Sequence, residues 1–148
     1  MGAMRYSFPA RFEADENGRL VVHFPDLPEA LTDGADEAEA LAEASDCLSE
    51  ALAGRIRRRE QIPIPSPPGA GVRVVEPEPT IALQAALYEA LRRQGLGPAE
   101  LGKRLGVEEH QAARLIDPKA RIPLAKLEQA LAVLGYSIAI EVHDRRVA

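Results

Sequence analysis

The sequence predicts an α+β fold in two units: a sheet-and-helix front half, then an all-α rear half that ends in a β-strand. Three observations predict it. Apolar residues alternate with period two over residues 5–24, the signature of half-buried strands. A helical stripe with complementary charge at both ends follows over residues 36–59, and after a proline-rich break several short helical patterns fill residues 80–135. The composition suits packed units of this size: 148 residues, 46% hydrophobic, with aromatics at only 4%, so the cores must be mainly aliphatic.

The first three residues, Met1-Gly2-Ala3, read as an appended leader ahead of Met4. Beyond it Tyr6, Phe8, Ala10 and Phe12 fall on one face of a strand, with Arg5, Ser7, Pro9 and Arg11 on the other. Pro9 has no N–H to donate, so this strand should tolerate an open edge. Asn17-Gly18 is the pair best able to hold φ > 0 and marks a hairpin turn, after which Leu20, Val22 and Phe24 resume the alternation. The stretch from Leu31 to Gly34 reads as a short strand or turn. A long helix then starts at the N-cap Asp36, with Glu39 three residues on completing a capping-box pattern. Leu41, Leu48, Leu52 and Ile56 form its stripe. Acidic residues crowd its first turns, and Arg55, Arg57, Arg58 and Arg59 its last, as the helix dipole favours. The arginine run can touch RNA, though a solvated helix end explains it more simply.

QIPIPSPPGAG carries four prolines and two glycines and is an extended loop. Val72, Val74 and Val75 predict a short strand returning to the sheet, and Pro77 and Pro79 a stiff linker. The expected division is a front domain at 4–76, a linker at 77–80 and a rear domain at 81–148. Ile81, Leu83, Leu87 and Leu91 open the rear half as a helix capped by Thr80 and closed by Gly95. Tyr136, Ile138, Ile140 and Val142 alternate with polar residues as a final strand that has no partner nearby in sequence. An unpaired apolar strand is a hazard that pairing with a second copy removes, so these four residues are the expected dimerisation strand.

Charge separates the halves. The formal net charge of −5 argues against nucleic acid on average, but residues 1–79 hold 8 basic and 15 acidic side chains and residues 80–148 hold 10 and 8, giving −7 and +2. No run approaches the ~18 apolar residues of a membrane span. One cysteine, Cys47, excludes a disulfide framework and reads as helix packing; His23 reads as a rim residue of its strand. The three histidines lack metal spacing and no Cys–His pair exists, so no metal, cofactor or nucleophilic catalysis is implied. A two-metal hydrolase needs converging carboxylates. Glu13, Asp15, Glu16, Asp26, Asp33 and Asp36 qualify by type, but most fall where turns and caps already use them, and the chain reads as a non-enzyme.

LGPAELGKRLGVEEHQAARLI carries the strongest local motif. Leu101 and Leu105 supply a buried face, Gly102 permits close approach, Gly106-Val107 turns the chain, and Ala112 and Leu115 anchor the second helix. Glu109, His110, Gln111 and Arg114 are then presented outward, with Lys103 on the first helix and Lys119 and Arg121 in the next loop as further candidate DNA contacts. This spacing resembles the Cro/phage-repressor type of helix-turn-helix over residues 80–135; a helical hairpin that only packs is the alternative. Pro98 stands where that group often has a backbone-clamping Gln, and Glu108 and Glu109 open the recognition helix. Two carboxylates oppose phosphate, although Glu can accept from cytosine N4. His110 can donate to a base edge or remain solvated.

FPDLPEALTDGADEAEALAEA resembles the N-terminal domain of HicB antitoxins, whose pattern runs F-P-D-L-P-G-C-x-T-x-G-D-T-x-E-E-A. Phe24, Pro25, Asp26, Leu27, Pro28, Thr32, Gly34 and Ala40 match; Glu29-Ala30 replaces Gly-Cys and Ala35-Asp36 replaces Asp-Thr. IPIPSPP is similar to that domain's proline-rich tail. The resemblance implies a partial RNase H-like fold used for binding, a HicA-like mRNA-cleaving toxin as partner, and repression of the protein's own operon by a cytoplasmic homodimer or higher oligomer on a palindromic operator. Phe24, Pro25, Asp26, Leu27 and Pro28, with the neighbouring acidic loop, are the expected toxin contacts. The alternative function is a helix-turn-helix regulator whose front domain senses a small ligand.

Overall fold

The structure, a computed structural model, describes residues 2–145; the last three residues of the expected rear domain lie outside them. The fold is α+β. Four strands, β1 (Phe8–Ala14), β2 (Leu20–Phe24), β3 (Leu27–Gly34) and β4 (Arg73–Val75), form an antiparallel sheet in the order β3-β2-β1-β4. The hairpin closes as its residues dictate. Gly18 sits at φ 81, and Asp15 Oδ1 accepts from the N–H groups of Asn17 and Arg19, both at 2.9 Å. β1 lies inside the sheet, yet it leaves the open flank that Pro9 can tolerate. Over Phe8–Ala10 it pairs only with β4, so its other flank is open there and a missing donor is tolerated.

The sheet's inner face carries Phe8, Ala10, Val22, Phe24, Leu27 and Ala30, all buried. Leu27 and Ala30 are three residues apart, yet both point inward. The register jumps between His23 and Phe24, from His23↔Leu31 to Phe24↔Leu27, and this irregularity breaks the period of two. It is why β3 reads in sequence as no more than a short strand or turn.

α1 (Glu37–Arg58) covers this face. Asp36 caps it, accepting from Glu39 N at 2.9 Å, while Glu39 Oε1 accepts from Ala35 N at 3.2 Å. Its buried stripe is Ala40, Ala44, Leu48, Leu52 and Ile56, one residue out of phase at the start from the expected Leu41, which is half-buried. The cause is a close approach: a Cβ on Gly34 would sit 2.4 Å from Ala40 N, so only small residues fit where β3 meets α1.

α2 (Pro79–Gln94) begins two residues earlier than expected, with Glu78 rather than Thr80 at the N-cap and Pro79 in the first turn, where its missing N–H costs nothing. Ile81, Ala85 and Tyr88 of this helix belong to the front core. Leu87, Ala90 and Leu91 belong to a second core, with Leu101 of α3 (Pro98–Leu105), Ala112 of α4 (Glu109–Arg114) and Leu127, Ala130 and Leu131 of α5 (Leu124–Val133). One helix therefore serves both cores. Tyr6 Oη also donates to Glu89 on α2 at 2.5 Å, and burial pushes its ionisation far above the usual phenol range.

The terminal strand expected at 136–143 does not form within the single chain. Residues 136–144 have no regular structure because no strand lies beside them to complete a ladder. Tyr136 and Ile138 pack on the second core, whereas Ile140 and Val142 are 75% and 88% exposed.

Candidate functional site

The rear surface is built around α3 and α4. Pro98 occupies the start of α3, and Glu100 Oε2 accepts from Gly97 N at 3.0 Å. Hydrogen bonds from its own and Gly97's backbone N–H hold the Glu100 carboxyl below the usual range. Gly106 ends the helix at φ 73, and Val107 N donates back to Gly102 O at 2.9 Å. The turn is tight enough that a Cβ on Gly102 would lie 2.7 Å from Val107 O.

Glu108 caps α4. Its own N–H donates to Gln111 Oε1 at 3.1 Å, and its carboxylate lies 3.3 Å from His110 Nδ1. Two of the sequence-derived contacts are thus partly engaged within the chain: Gln111 in capping, His110 beside a carboxylate. Glu109, Arg114, Lys103, Lys119 and Arg121 are exposed. Arg114, Arg121 and Lys126 share with Gln111, Val107 and Ile122 a groove of about 380 Å³ beside α4.

The loop after α4 is held by a residue the sequence reading passed over. Gln84 of α2 is fully buried, and its Nε2 donates to Leu115 O at 3.1 Å and Asp117 O at 2.9 Å. Asp117 Oδ1 in turn accepts from Lys119 N at 3.0 Å. The signal was present: Gln84 is a polar residue at helical spacing within the apolar set Ile81, Ala85 and Tyr88. Its Oε1 is buried and has no partner in the structure. Lys119 also lines a cleft of about 430 Å³ with Glu50 and Arg57 of α1 and Glu78, so the loop lies beside the front unit.

The front unit corrects the expected toxin contacts. Phe24 and Leu27 are 1% and 0% exposed and belong to the core, so they cannot touch a partner; their place in the motif reflects the fold. Pro25 and Pro28 are exposed. Asp26 Oδ2 and Oδ1 accept from Ser66 N at 2.8 Å and Ser66 Oγ at 2.5 Å, tying the proline-rich segment to the β2–β3 corner. Glu29, which replaces the family's glycine, forms a two-point pair with Arg55, at 2.6 Å to Nε and 2.9 Å to Nη2. Its carboxyl is held below the usual range by that hydrogen bond, against a smaller opposing effect of burial.

The other carboxylates weighed for hydrolysis sit apart. Asp15 organises the hairpin turn, Asp33 pairs with Arg19 at 2.8 Å, Asp36 caps α1, and Glu13 faces His23 at 3.8 Å. Among the described residues no three His, Cys, Asp or Glu side chains gather as metal ligands. Cys47 is half-buried, and burial raises its thiol ionisation, the opposite of an activated nucleophile. One group of the front half's acidic residues lines the outer face of α1. Glu43, Asp46 and Glu50 are exposed along it, and Ser45 Oγ···Glu76 O (2.7 Å) and Glu78 N···Ser49 Oγ (2.9 Å) bring Glu76 and Glu78 alongside.

The fold thus joins a sheet-and-helix unit to a small helical unit with an exposed turn at Gly106. Residues 7–85 match the family model of the HicB-like antitoxin of bacterial toxin–antitoxin systems. The chain belongs to the HicB-like antitoxin family. It is 36% identical to Antitoxin HicB 2 of Photorhabdus laumondii over 89% of this chain and 91% of that protein. Antitoxin HicB 1 of the same organism is 30% identical (94% and 87% covered), and Antitoxin HicB of Escherichia coli 29% (93% and 98%). The chain is thus similar to whole antitoxins along nearly their entire length. No helix among the described residues is long and apolar enough to cross a membrane.

Proposed function

We propose that this antitoxin neutralises a HicA-like mRNA-cleaving toxin by direct binding and represses its own operon through α3 and α4, which act as a helix-turn-helix. The observation that carries the second activity is the α3–α4 turn, with Gly102 against Val107 O and Glu109 and Arg114 left exposed on α4. Close packing of two short helices with polar residues outward is what groove reading requires. The first activity is supported by family membership and by charge. A toxin that grips RNA carries a basic face, and opposed fields speed encounter and penalise wrong partners. The acidic exterior of α1, with Pro25, Asp26 and Pro28 at the β2–β3 corner, is the surface offered. The front unit serves as a non-catalytic, RNase H-like binding fold.

Palindromic operator DNA calls for two reading units. The tail at 136–143, whose Ile140 and Val142 are exposed in the single chain, supplies an isologous strand pair in a cytoplasmic homodimer. The decisive experiment is co-expression with the product of the adjacent reading frame, expected to be a short basic protein. The neighbour alone should arrest growth, the pair should restore it, and the two should co-purify. A harmless neighbour that does not bind refutes the antitoxin–toxin pairing. A gel shift on the gene's own upstream DNA, weakening steeply with salt, tests repression separately.

A further inference from the structure

Arg58 and Arg59, the end of the arginine run on α1, have no role in the reading above, and the setting of Arg59 gives it one. α1 and α2 end side by side. Arg92 Nη1 donates to Arg59 O at 3.2 Å, Tyr88 Oη donates to Glu60 O at 2.7 Å, and the Arg92 guanidinium lies 5.4 Å from the Tyr88 ring centre. Arg58 and Arg59 at the end of α1 are thereby brought beside Arg92 of α2, and all three, like the next residue Arg93, are exposed. Arg58 is matched by Glu60 at 3.0 Å and Arg92 by the backbone, but among the described residues no hydrogen bond or ion pair engages the side chains of Arg59 and Arg93.

Arg59 is also the only non-glycine residue with positive φ among the described residues, at 58°. It terminates α1 where glycine is the unstrained choice, as Gly95 and Gly106 are for α2 and α3. A strained backbone that carries an unused guanidinium on the surface points to a ligand for that guanidinium. Pro98, the start of α3, follows Arg93 by five residues, so Arg93 lies within ~18 Å of the reading unit.

We propose that Arg59 and Arg93 bind the phosphate backbone of duplex DNA flanking the site read by α4, so that the front unit contributes to the operator footprint. This rests on the DNA-binding reading. Guanidinium forks match phosphate oxygens, and each phosphate neutralised releases counterions.

The test compares the full chain with Arg59→Gly and Arg93→Gln on three probes: a minimal upstream duplex trimmed to the base pairs that the α4 helices span, that duplex extended by one helical turn on each side, and single-stranded RNA of the extended length. Both variants should bind the minimal duplex like the unaltered chain. On the extended duplex they should bind more weakly, with a salt slope shallower by about one per protomer. Arg59→Gly should melt no lower than the unaltered chain, because glycine relieves the backbone. If it melts lower, Arg59 is structural and that half of the proposal falls, leaving Arg93→Gln to decide the other. Unchanged affinity and slope on the extended duplex overturn the proposal, as does a loss confined to RNA or an equal loss on both duplexes. If the unaltered chain binds neither duplex, the DNA-binding reading itself has failed.

Discussion

Gly102→Ala sets two known effects against each other and lets the sign decide. Gly102 lies inside α3, where Gly→Ala ordinarily stabilises a helix by about 0.8–1 kcal/mol. Here the added Cβ would lie 2.7 Å from Val107 O. An unstrained carbon–oxygen contact needs about 3.3 Å, so α3 and the turn must separate by roughly 0.6 Å. Forcing an extra methyl into packed structure costs about 1–3 kcal/mol, and the obstructing atom is backbone, which cannot rotate away. The steric cost should exceed the propensity gain, for a net loss of about 1 kcal/mol. In a urea titration with m near 2 kcal/mol/M the midpoint should fall by about 0.5 M. Binding to the upstream DNA should weaken as well, since the displaced turn re-aims α4. Gly69→Ala, with nothing within 4 Å of its Cβ, is the control and should be neutral. A midpoint that rises for Gly102→Ala would refute the close-approach argument and the tight α3–α4 turn built on it.

Gly34→Ala should be harsher, because its Cβ meets Ala40 N at 2.4 Å and Ala40 Cα at 2.6 Å; urea unfolding should show a loss at or above ~3 kcal/mol, and a change near zero contradicts the packing. Asp26→Ala removes two hydrogen bonds to Ser66, each about 0.5–1.5 kcal/mol, and should hasten limited proteolysis within residues 60–72 more than Ser66→Ala does, since the latter retains the backbone bond. Glu29 has a native ionisation below its unfolded one, so its contribution is complete above the carboxylate range and is lost as pH falls through the native value; Glu29→Gln should flatten the acid limb of a stability–pH profile, and an unchanged limb would show the Arg55 pair is inert. Ile140→Asp with Val142→Asp should leave each chain folded and give monomers by light scattering; a persistent dimer would place the contact elsewhere.

What was legible in the sequence was local. The hairpin is encoded by Asn17-Gly18 and flanking alternation within a few residues, and the turn after α3 by Gly106 and its neighbours. What was hidden depends on partners distant in the chain. The inward pairing of Leu27 and Ala30 follows from a register jump that no period reveals. The small stripe of Ala40 and Ala44 follows from Gly34 closing on α1. Gln84 joins carbonyls 31 and 33 residues away, and only its place within an apolar set betrays it. Phe24 and Leu27 were misassigned to a contact surface because a motif is visible whether it specifies a core or an interface, and burial alone separates the two. The tail alternates like a strand but has no ladder, because a strand is a relation between two segments.

That α2 supplies both hydrophobic cores limits how such antitoxins can diversify by recombination. A crossover at residue 78 would exchange the helical unit and take with it Ile81, Ala85 and Tyr88, whose complementary surface stays behind on α1 and the sheet. Losing two large buried side chains to mismatch costs on the order of 3–6 kcal/mol, a large share of a small protein's stability. Swapped halves would therefore need α2 inherited from the front parent at least through Tyr88. The point at which the halves could be exchanged thus falls inside a helix, past the prolines that punctuate the sequence.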